Sequence, residues 1–441
     1  MSTIKVNTIT TRSGSTVTLG ESGKTITLAC GASQSGFGRT GTVDWCTTAK
    51  TSPFTAENAK GYFVDTSSGA VTVTLPASPT AGDIVAIADL KGTSGTNNIT
   101  LGRNSSKIKG VCSDGKIQTS RESLTVIYSG SDQGWININD ANVSTSGIAQ
   151  SYNVEYLVVA GGGSGGAGDI GGGGGAGGLR FCTSKSISVT QGVAIPITVG
   201  GGASATPPSG SCNARGTNGS NSIFSTITSA GGGGGGAGAG TNDNSAGRAG
   251  GSGGGAGYRC RSGGAGNTPP VSPPQGNAGG SSGNAAPWRQ GGGGGHATAG
   301  TQGHPTPSGT AGAGGEGSPY SRLGPLAPSY GTTGPSPGRY FAGGGAGGVC
   351  HPSPTLAGGS GGGGTGGTTA ALATAGTANT GGGGGGGENS YSTGLSGAGG
   401  SGIVVLRYVT ACGAAATGGN ATGTCGSDTI KVFTSDGTFT P

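Results

Sequence analysis

The sequence predicts an all-β protein: an elongated, trimeric fibre with an N-terminal shaft, a small β-sandwich-like module, and a glycine-rich bundle of polyproline-II-type helices closed by β-strands. Three observations predict this fold. Short apolar segments alternate with turn residues and show no helical period. Glycine supplies 108 of the 441 residues, far above ordinary globular usage. Apolar strands flank the glycine-rich part on both sides. The predicted segments are 1–50 for the shaft, 51–142 for the β-module, 143–410 for the glycine-rich domain and 411–441 for a C-terminal strand segment.

The shaft segment contains short alternating strands at 4–9, 17–20 and 25–28, separated by Ser and Gly. Such strands are too sparse to bury a core within one chain. They suit a shaft in which identical chains wrap together around a narrow apolar axis. The sequence therefore predicts a homotrimer held together by this segment.

The second segment has regularly spaced strand patterns that are rich in β-branched residues. These patterns lie at 62–64, 71–75, 84–88, 98–101, 124–128 and 135–139. Turn formers such as Pro76, Pro79 and Gly82 separate them. The spacing predicts a small antiparallel sandwich or barrel.

Pure glycine runs mark the third segment. They lie at 171–175, 231–236, 291–295, 361–364 and 381–387. Composition alone would favour a flexible linker. However, apolar strands at 154–160 and 403–408 close both ends, and the insertions contain Trp, Tyr and Pro, which a linker does not need. A bundle of polyproline-II-type helices, in which every backbone N–H and C=O pairs with a neighbouring helix, fits better. Collagen is excluded because no strict Gly-X-Y period exists.

Charge and hydropathy exclude several classes of partner. The formal net charge of +6 comes from only 9% charged residues, and no run of Lys or Arg is dense enough to follow a nucleic-acid backbone. No stretch approaches ~18 consecutive apolar residues, so we expect no membrane insertion. Residues 1–12 lack the apolar core of a signal peptide, so we expect no export by the usual route.

The sequence offers no catalytic, metal or cofactor site, and we expect that the protein is not an enzyme. The histidines are limited to His296, His304 and His351, with few acidic residues near them. Residues 23–25 resemble the end of a P-loop but lack its first glycine and its helix.

The nine cysteines contain no Cys-x-x-Cys pair that would indicate a zinc site. Most are expected to be inert thiols. Cys412 and Cys425 flank a short Gly/Ala/Thr segment. Two alternatives stay open for this pair: a disulfide that closes a hairpin, or two free thiols.

The insertions between glycine runs are expected to form loops at the ends of the bundle, where function usually lies. They concentrate Tyr, Trp and Arg, which are enriched at binding hot spots. The candidate receptor-binding residues are Tyr258, Arg259, Arg261, Trp288, Arg289, Tyr320, Arg322, Tyr330, Arg339, Tyr340 and Tyr391. The alternative is that these side chains only fasten the loops to the glycine bundle.

The segment 61–140 opens with Gly-Tyr-Phe-Val-Asp-Thr, continues through Leu-Pro-Ala-Ser-Pro at 75–79 and closes with Gly-Trp-Ile-Asn at 134–137. It resembles a β-module that recurs in virion proteins of marine cyanophages. The apolar strand at 154–160, which runs into glycine, and the closing strand at 403–408 are similar to the glycine-rich domain of phage tail proteins.

This resemblance implies a tail-fibre protein on the outside of a virus particle, assembled in the host cytoplasm. Its N-terminus would attach to other tail proteins, and its loops to a polysaccharide or outer-membrane protein of the host surface. Many weak contacts on a multivalent particle would supply avidity. One alternative is a purely structural decoration or tail joint. Another is an ice-binding or matrix protein, but this should carry regular Thr or Ser arrays, and the sequence shows no such regularity.

The C-terminal residues 430–440 resemble the strand that normally opens a glycine-rich phage module, and residues 147–153 lack that pattern in the expected place. An unpaired sheet edge exposes backbone donors and apolar side chains. We therefore expect the C-terminal strand to complete the sheet of 154–160 and 403–408, in its own chain or a neighbour, by strand addition. The alternative is a vestige that pairs with neither strand.

Overall fold

A computed structural model describes most of the chain after the predicted shaft. The described residues are 43–138, 149–168, 170–207, 214–238, 243–283, 289–304, 310–349, 356–388, 394–413 and 416–441. Residues 1–42, most of the predicted shaft of 1–50, lie outside them, so the shaft and the trimer stay predictions.

The described residues form almost only β-structure. In chain order the strands are β1 (Asp44–Lys50), β2 (Phe54–Thr55), β3 (Lys60–Val64), β4 (Val71–Thr74), β5 (Ile84–Asp89), β6 (Ile99–Gly102), β7 (Gly115–Ile117), β8 (Ser123–Tyr128), β9 (Trp135–Asn137), β10 (Ala149–Val159), β11 (Leu179–Thr190), β12 (Ile195–Thr198), β13 (Ser222–Phe224), β14 (Ile227–Ser229), β15 (Ser318–Tyr320), β16 (Arg339–Phe341), β17 (Ile403–Val409), β18 (Ala421–Cys425), β19 (Asp428–Phe433) and β20 (Gly437–Phe439). Short 3-10 helices cover Asp243–Ser245 and Gly324–Ser329. The predicted all-β class is confirmed, and none of the described sheets closes into a barrel.

Strands β1 to β9 form a two-sheet sandwich. One sheet has the strand order β1-β3-β5-β8-β9, and the other contains β7-β6-β4-β2. Alternate residues of both sheets point inward and bury Val64, Val85, Leu101, Val126 and Trp135 completely. This cluster is the core of the module that the sequence predicts.

All pairings among the first six strands are parallel, so the antiparallel arrangement expected for this part is wrong. β1, β3 and β5 pair in parallel in one sheet, as do β2, β4 and β6 in the other. The chain crosses to the opposite sheet after each strand and therefore returns in the same direction. A period of two residues marks a strand but does not encode its direction. β7, β8 and β9 pair antiparallel, as predicted.

The sandwich joins the sheet that closes the glycine-rich domain. β10 pairs at its start with β7, through Ala149 and Gln150, and farther along with β17 and β11. β19 pairs antiparallel with β17 from Phe433 to Asp428, β18 lies outside β19, and β20 pairs with β12. The C-terminal strand thus completes the sheet of β10 and β17 within its own chain, which confirms this prediction.

The central sheet consists of β18, β19, β17, β10 and β11. Its inner strands β19, β17 and β10 are buried on both faces, which explains their nearly continuous apolar sequences. On one face, Val158 and Leu406 belong to a cluster with Phe224 of the small sheet β14-β13-β12-β20. On the other face, Leu157 packs in a cluster with Tyr320 of the β15–β16 hairpin. The central sheet is therefore enclosed by two later insertions of the chain.

Cys412 and Cys425 are not joined by a disulfide. Both thiols are free, and they belong to clusters on opposite faces of the central sheet. Cys412 packs in the cluster of Tyr408, whereas Cys425 packs against the cluster of Ile430. The Cys412–Cys425 disulfide, which the sequence left as an alternative, is therefore absent.

The described glycine-rich runs are neither helix nor strand, and their backbone groups pair with neighbouring runs. In the run 160–168, consecutive amides donate to three neighbours in strict rotation. The amides of Ala160, Gly163 and Gly166 donate to the carbonyls of Gly178, Gly175 and Gly172. Those of Gly161, Ser164 and Ala167 donate to the carbonyls of Ser220, Thr217 and Ala214. Those of Gly162, Gly165 and Gly168 donate to the carbonyls of Gly400, Gly397 and Gly394. Every third residue thus faces the same neighbour.

Inner runs of this lattice are enclosed on all sides. The carbonyls of the run 160–168 accept from three further runs, through the amides of Gly232, Ala203 and Gly384 among others. The run 171–178 repeats the arrangement. It donates to runs 381–387, 230–236 and 291–294 and accepts from runs 160–166, 252–255 and 345–348. In an inner run with six neighbours, a Cβ atom built on most of the glycines would collide with the backbone of a neighbouring run.

Close backbone contact explains why the inner runs are glycine. A Cβ atom at Gly383 would lie 2.0 Å from the carbonyl oxygen of Gly174, and one at Gly173 would lie 2.1 Å from that of Gly345. Both distances are far inside van der Waals contact. Gly201 differs, because a Cβ there would meet nothing within 4 Å. Ala, Ser and Thr occur in the outer runs and at a few inner positions, such as Ser164, whose hydroxyl bonds to that of Thr206 at 3.0 Å.

Polar side chains replace the missing neighbour at the edge of the lattice. Asn218 and Asn221, three residues apart, accept from the amides of Gly234 and Gly231 at 3.0 and 2.9 Å. Arg248 Nε donates to a backbone oxygen of an outer run in the same way. The spacing of the two asparagines repeats the three-residue period of the run that they cover.

Candidate binding surface

The runs alternate in direction, so the lattice has two ends. We call the end beside the central sheet the base; Ala160, Gly178, Ala230 and Gly381 lie there, joined through the bonds of Ala160 to Gly178, Gly178 to Ala230 and Gly177 to Gly381. We call the opposite end the distal end; it includes Gly168, Gly171, Gly238, Gly387 and Gly394. The sandwich and the central sheet attach at the base, which leaves the distal end away from both.

The loop 258–261 leaves the distal end after Gly257 and carries three of the predicted binding residues. Arg259 is exposed, and its guanidinium lies 4.8 Å from the ring centre of the half-buried Tyr258. The φ of Arg259 is 49°, in the left-handed region. Arg261 closes the loop, because its amide donates to Ser282 Oγ at 2.8 Å and its carbonyl accepts from the Ser282 amide at 3.0 Å. The loop therefore presents a cation stacked on an aromatic ring.

Arg289 also lies at the distal end, but its side chain is buried, with 3% exposure. Its carbonyl accepts from the amide of Gly283 at 2.8 Å. The side chain is thus part of the packing in this conformation. Trp288 and Tyr391, the other two aromatics predicted for such loops, lie outside the described residues.

The remaining predicted residues come together at the base, on the β15–β16 hairpin and its connection. The rings of Tyr320 and Tyr340 are buried, and Tyr340 Oη accepts from the Ser336 amide at 2.9 Å. Arg339 Nε donates to the carbonyl of the half-buried Tyr330 at 2.8 Å. These four side chains hold the hairpin together and dock it on the central sheet.

Arg322, on the same hairpin connection, belongs to a charged cluster beside the central sheet. It forms an ion pair with Glu155 of β10. Nearby, Asp428 accepts from Lys185 Nζ at 2.9 Å and from Arg407 Nε at 2.8 Å. Burial raises the pKa of the Asp428 carboxyl, but the hydrogen bonds from the two cations outweigh it and hold the pKa below its ordinary value.

His296 lies at the base, and the side-chain partner of its ring is a hydroxyl group. Its Nδ1 lies 2.6 Å from Ser318 Oγ, and the ring also hydrogen-bonds to the backbone of Pro274. Burial lowers the pKa of His296 below its ordinary value, while the Pro274 bond raises it by less. The pair fixes the start of β15 against the neighbouring run.

These positions divide the predicted set between two ends of one lattice. Tyr258, Arg259 and Arg261 share the distal loop, whereas Tyr320 and its neighbours serve the hairpin at the base.

A model of a glycine-rich domain family matches residues 139–409, more than half of the chain. The chain belongs to this glycine-rich domain family. A comparison with curated proteins gives no significant match.

The matched range of the glycine-rich domain corresponds to a structural unit. It includes β10 at its start and ends at Val409, the last residue of β17. Strands β18 to β20 lie beyond the matched range, although β19 completes the sheet of the domain.

Among the described residues, no helix is both long and apolar enough to cross a membrane. The same residues contain no group of three or more His, Cys, Asp or Glu side chains arranged to hold a metal ion. The candidate binding surface therefore consists of polar and aromatic side chains.

The set of binding residues predicted from the sequence does not include two arginines near the distal loop, Arg215 and Arg248. Arg215 Nη2 donates to the carbonyl of Gly247 at 2.8 Å, and Arg248 Nε donates to that of Gly216 at the same distance. Arg248 stands alone inside a Gly/Ala stretch, which is the signal that could have found it. The two arginines bind adjacent outer runs together and add positive charge to this side of the lattice.

Proposed function

We propose that this protein is a virion tail-fibre protein that attaches a phage particle to the surface of its host. Attachment is assigned to loops at the distal end of the glycine-rich domain. The observation that supports this proposal most is the placement of the exposed Arg259–Tyr258 pair. It lies on the lattice end opposite the sandwich, where a fibre would meet its target.

The lattice is proposed to be a bundle of polyproline-II helices, which have three residues per turn and no internal hydrogen bonds. The strict three-residue rotation of hydrogen bonds in the run 160–168 supports this geometry. Because the amides of the inner runs 160–168 and 171–178, and most of their carbonyls, bond to neighbouring runs, the bundle is rigid without a side-chain core. A rigid scaffold lets loops hold a binding geometry at low entropic cost.

Recognition is proposed to use stacking and charge. An aromatic ring stacks on the apolar face of a sugar, and a guanidinium pairs with carboxylate or phosphate groups. Both features occur together in Tyr258 and Arg259. The partner class is a charged surface polysaccharide or an outer-membrane protein of the host.

The proposal includes a homotrimer, with the N-terminal part bound to other tail proteins on the exterior of the particle. A trimer presents three copies of the distal loop, so weak contacts add through avidity. Sedimentation of the purified full chain measures this state, and a monomer at micromolar concentration contradicts the trimer.

Attachment is tested with purified full-length protein on a panel of marine cyanobacterial strains, the host class that the resemblance implies. The variant Tyr258→Ala/Arg259→Ala should lose most of its binding while keeping the thermal midpoint of the wild type. Trp45→Ala is the matched control, because it removes a 41%-exposed aromatic from the sandwich. Equal binding by wild type and double variant would contradict the assignment to this loop.

A second candidate function is a purely structural tail joint or decoration. It is favoured by the buried Arg289, Tyr320 and Tyr340, which act in packing. If the wild-type chain binds no strain of the panel yet remains on purified particles, the structural function replaces attachment.

A further inference from the structure

Two cysteines that are far apart in the sequence lie together where the sandwich meets the central sheet. Cys412 Sγ lies 3.5 Å from the carbonyl oxygen of Cys112 and donates to it, although 300 residues separate the two. Cys412 is a buried member of the cluster that includes Tyr152 and Tyr408, and Cys112 packs against the same cluster. Both thiols are free in the structure.

Each cysteine is held by a tight turn, so the approach is built into the fold. On the sandwich side, Ile108 and Val111 bond to each other's backbone at 2.9–3.0 Å, directly before Cys112. Gln150 Nε2 at the start of β10 donates to the carbonyl of Ile108 at 2.6 Å and fixes this turn to the sheet. On the other side, the amide of Cys412 bonds to the carbonyl of Val409 at 3.0 Å, directly after β17.

We propose that Cys112 and Cys412 form a disulfide that locks the sandwich to the closing sheet of the glycine-rich domain. The Cys412 thiol contacts the Cys112 carbonyl and also hydrogen-bonds to the Cys112 side chain, so a change of rotamer can bring the two sulfurs together. Burial, followed by the nearby Cys112, raises the pKa of the Cys412 thiol. The less buried Cys112 is therefore the first thiol to react, and Cys412 resolves.

The reaction requires a small-molecule disulfide as oxidant. The Cys112 thiolate attacks one sulfur of this disulfide, forms a protein mixed disulfide and releases one small thiolate. The Cys412 thiolate then attacks Cys112 Sγ and releases the second small thiolate. Two protein thiols become one disulfide and one small disulfide becomes two thiols, so that atoms and electrons balance, and the structure described here is the reduced form.

The bond would close a very long loop across two parts of the fold. Among the described residues, the sandwich meets the glycine-rich domain through the short β7–β10 pairing, the Gln150–Ile108 hydrogen bond and the packing of Val111. Crosslinks that close long loops remove the most freedom from the unfolded chain. A chain assembled in reducing cytoplasm would thus gain this lock after release into an oxidising medium.

The test uses full-length protein with Cys425→Ala, because trypsin leaves Cys412 and Cys425 on one peptide, 408–431. After equilibration with oxidised glutathione, peptide 110–116 should appear joined to 408–431 by mass spectrometry under non-reducing conditions. Reduction should separate the two peptides. Cys182→Ala on the same background should leave the crosslink unchanged.

A second measurement keeps the proposal falsifiable if a variant folds poorly. Oxidation should raise the thermal midpoint of the wild type and of Cys260→Ala by on the order of 5 °C. It should not raise the midpoint of Cys112→Ala or Cys412→Ala. Absence of the joined peptide, or an equal rise in Cys112→Ala, would overturn the proposal.

Discussion

Arg322 and Glu155 form a two-pronged ion pair that fastens the β15–β16 hairpin connection to the central strand β10. Arg322 Nε and Nη2 each donate to a different carboxylate oxygen of Glu155. The Glu155 side chain is 1% exposed, whereas that of Arg322 is 37% exposed. A carboxylate this deeply buried depends on its partner for charge compensation.

We therefore expect Arg322→Ala to destabilise the protein, because it leaves the Glu155 charge buried without its guanidinium. The expected loss in the free energy of unfolding is about 2 kcal/mol, below the range for fully buried pairs because water screens the exposed arginine. Urea unfolding of both proteins measures the difference.

Two further variants separate the ion pair from general damage. Glu155→Gln combined with Arg322→Ala should recover part of the loss, since the buried charge is gone. Lys60→Ala breaks the exposed pair with Asp44 and should leave the urea midpoint unchanged. Equal stability of Arg322→Ala and the wild type would contradict the assigned role.

The Asp428 cluster predicts a dependence of stability on acid. Burial raises the pKa of Asp428, but hydrogen bonds from Lys185 and Arg407 lower it further, so its folded pKa lies below the unfolded value of 3.8. A lowered folded pKa stabilises the fold above the unfolded pKa, and this stabilisation disappears as the pH falls through the folded pKa.

We expect Asp428→Asn to be less stable than the wild type by about 2 kcal/mol near neutral pH, because two charge-assisted hydrogen bonds are weakened. The difference should shrink as the pH falls below about 4. Urea midpoints of both proteins across this range measure it. A difference that is constant with pH would show that the ionised carboxylate contributes nothing.

The return of the C-terminal strand was predictable because residues 430–440 carry a strand pattern that an open sheet edge needs. Its partner strand and its location in the same chain are visible in the register of β19 with β17. The parallel course of β1, β3 and β5 was not predictable, since alternation in a sequence gives the face of each residue but not the strand direction.

The candidate site was predictable only as a set of residue types. Tyr258 and Tyr320 both stand in insertions with Arg nearby, yet one lies on an accessible loop and the other is buried beneath a hairpin. Burial depends on whether the central sheet has an uncovered face beside the insertion, which local sequence does not encode. The period of three between Asn218 and Asn221 was a readable signal, because it matches the repeat of the glycine run.

Because the C-terminal strand β19 is buried, shortening one of its side chains should strongly lower the free energy of unfolding. Ile430 is fully buried on the hairpin face of the central sheet. Ile430→Ala should lower the free energy of unfolding by about 3 kcal/mol through lost transfer energy and a cavity. Thr438→Ala, at an exposed position on β20 of the small sheet, should change it by less than about 0.5 kcal/mol. Equal thermal midpoints for Ile430→Ala and Thr438→Ala would contradict the pairing of β19 with β17.

The glycine lattice makes the sharpest distinction between two chemically identical substitutions. Gly383→Ala places a methyl group 2.0 Å from the carbonyl oxygen of Gly174, inside a run with neighbours on every side. Backbone on both sides cannot move without breaking hydrogen bonds in adjacent runs, so the clash spreads instead of relaxing. Gly201→Ala adds the same methyl group on an outer run with nothing within 4 Å.

We expect Gly383→Ala to lose cooperative unfolding or soluble expression, because overpacking and several broken backbone bonds together approach the whole stability of a domain, about 5–15 kcal/mol. Gly201→Ala should fold with a thermal midpoint equal to or slightly above that of the wild type, since alanine restricts the unfolded chain. Circular dichroism melts of both variants measure the contrast. If Gly383→Ala melts like Gly201→Ala, the inner runs are not packed as a closed lattice.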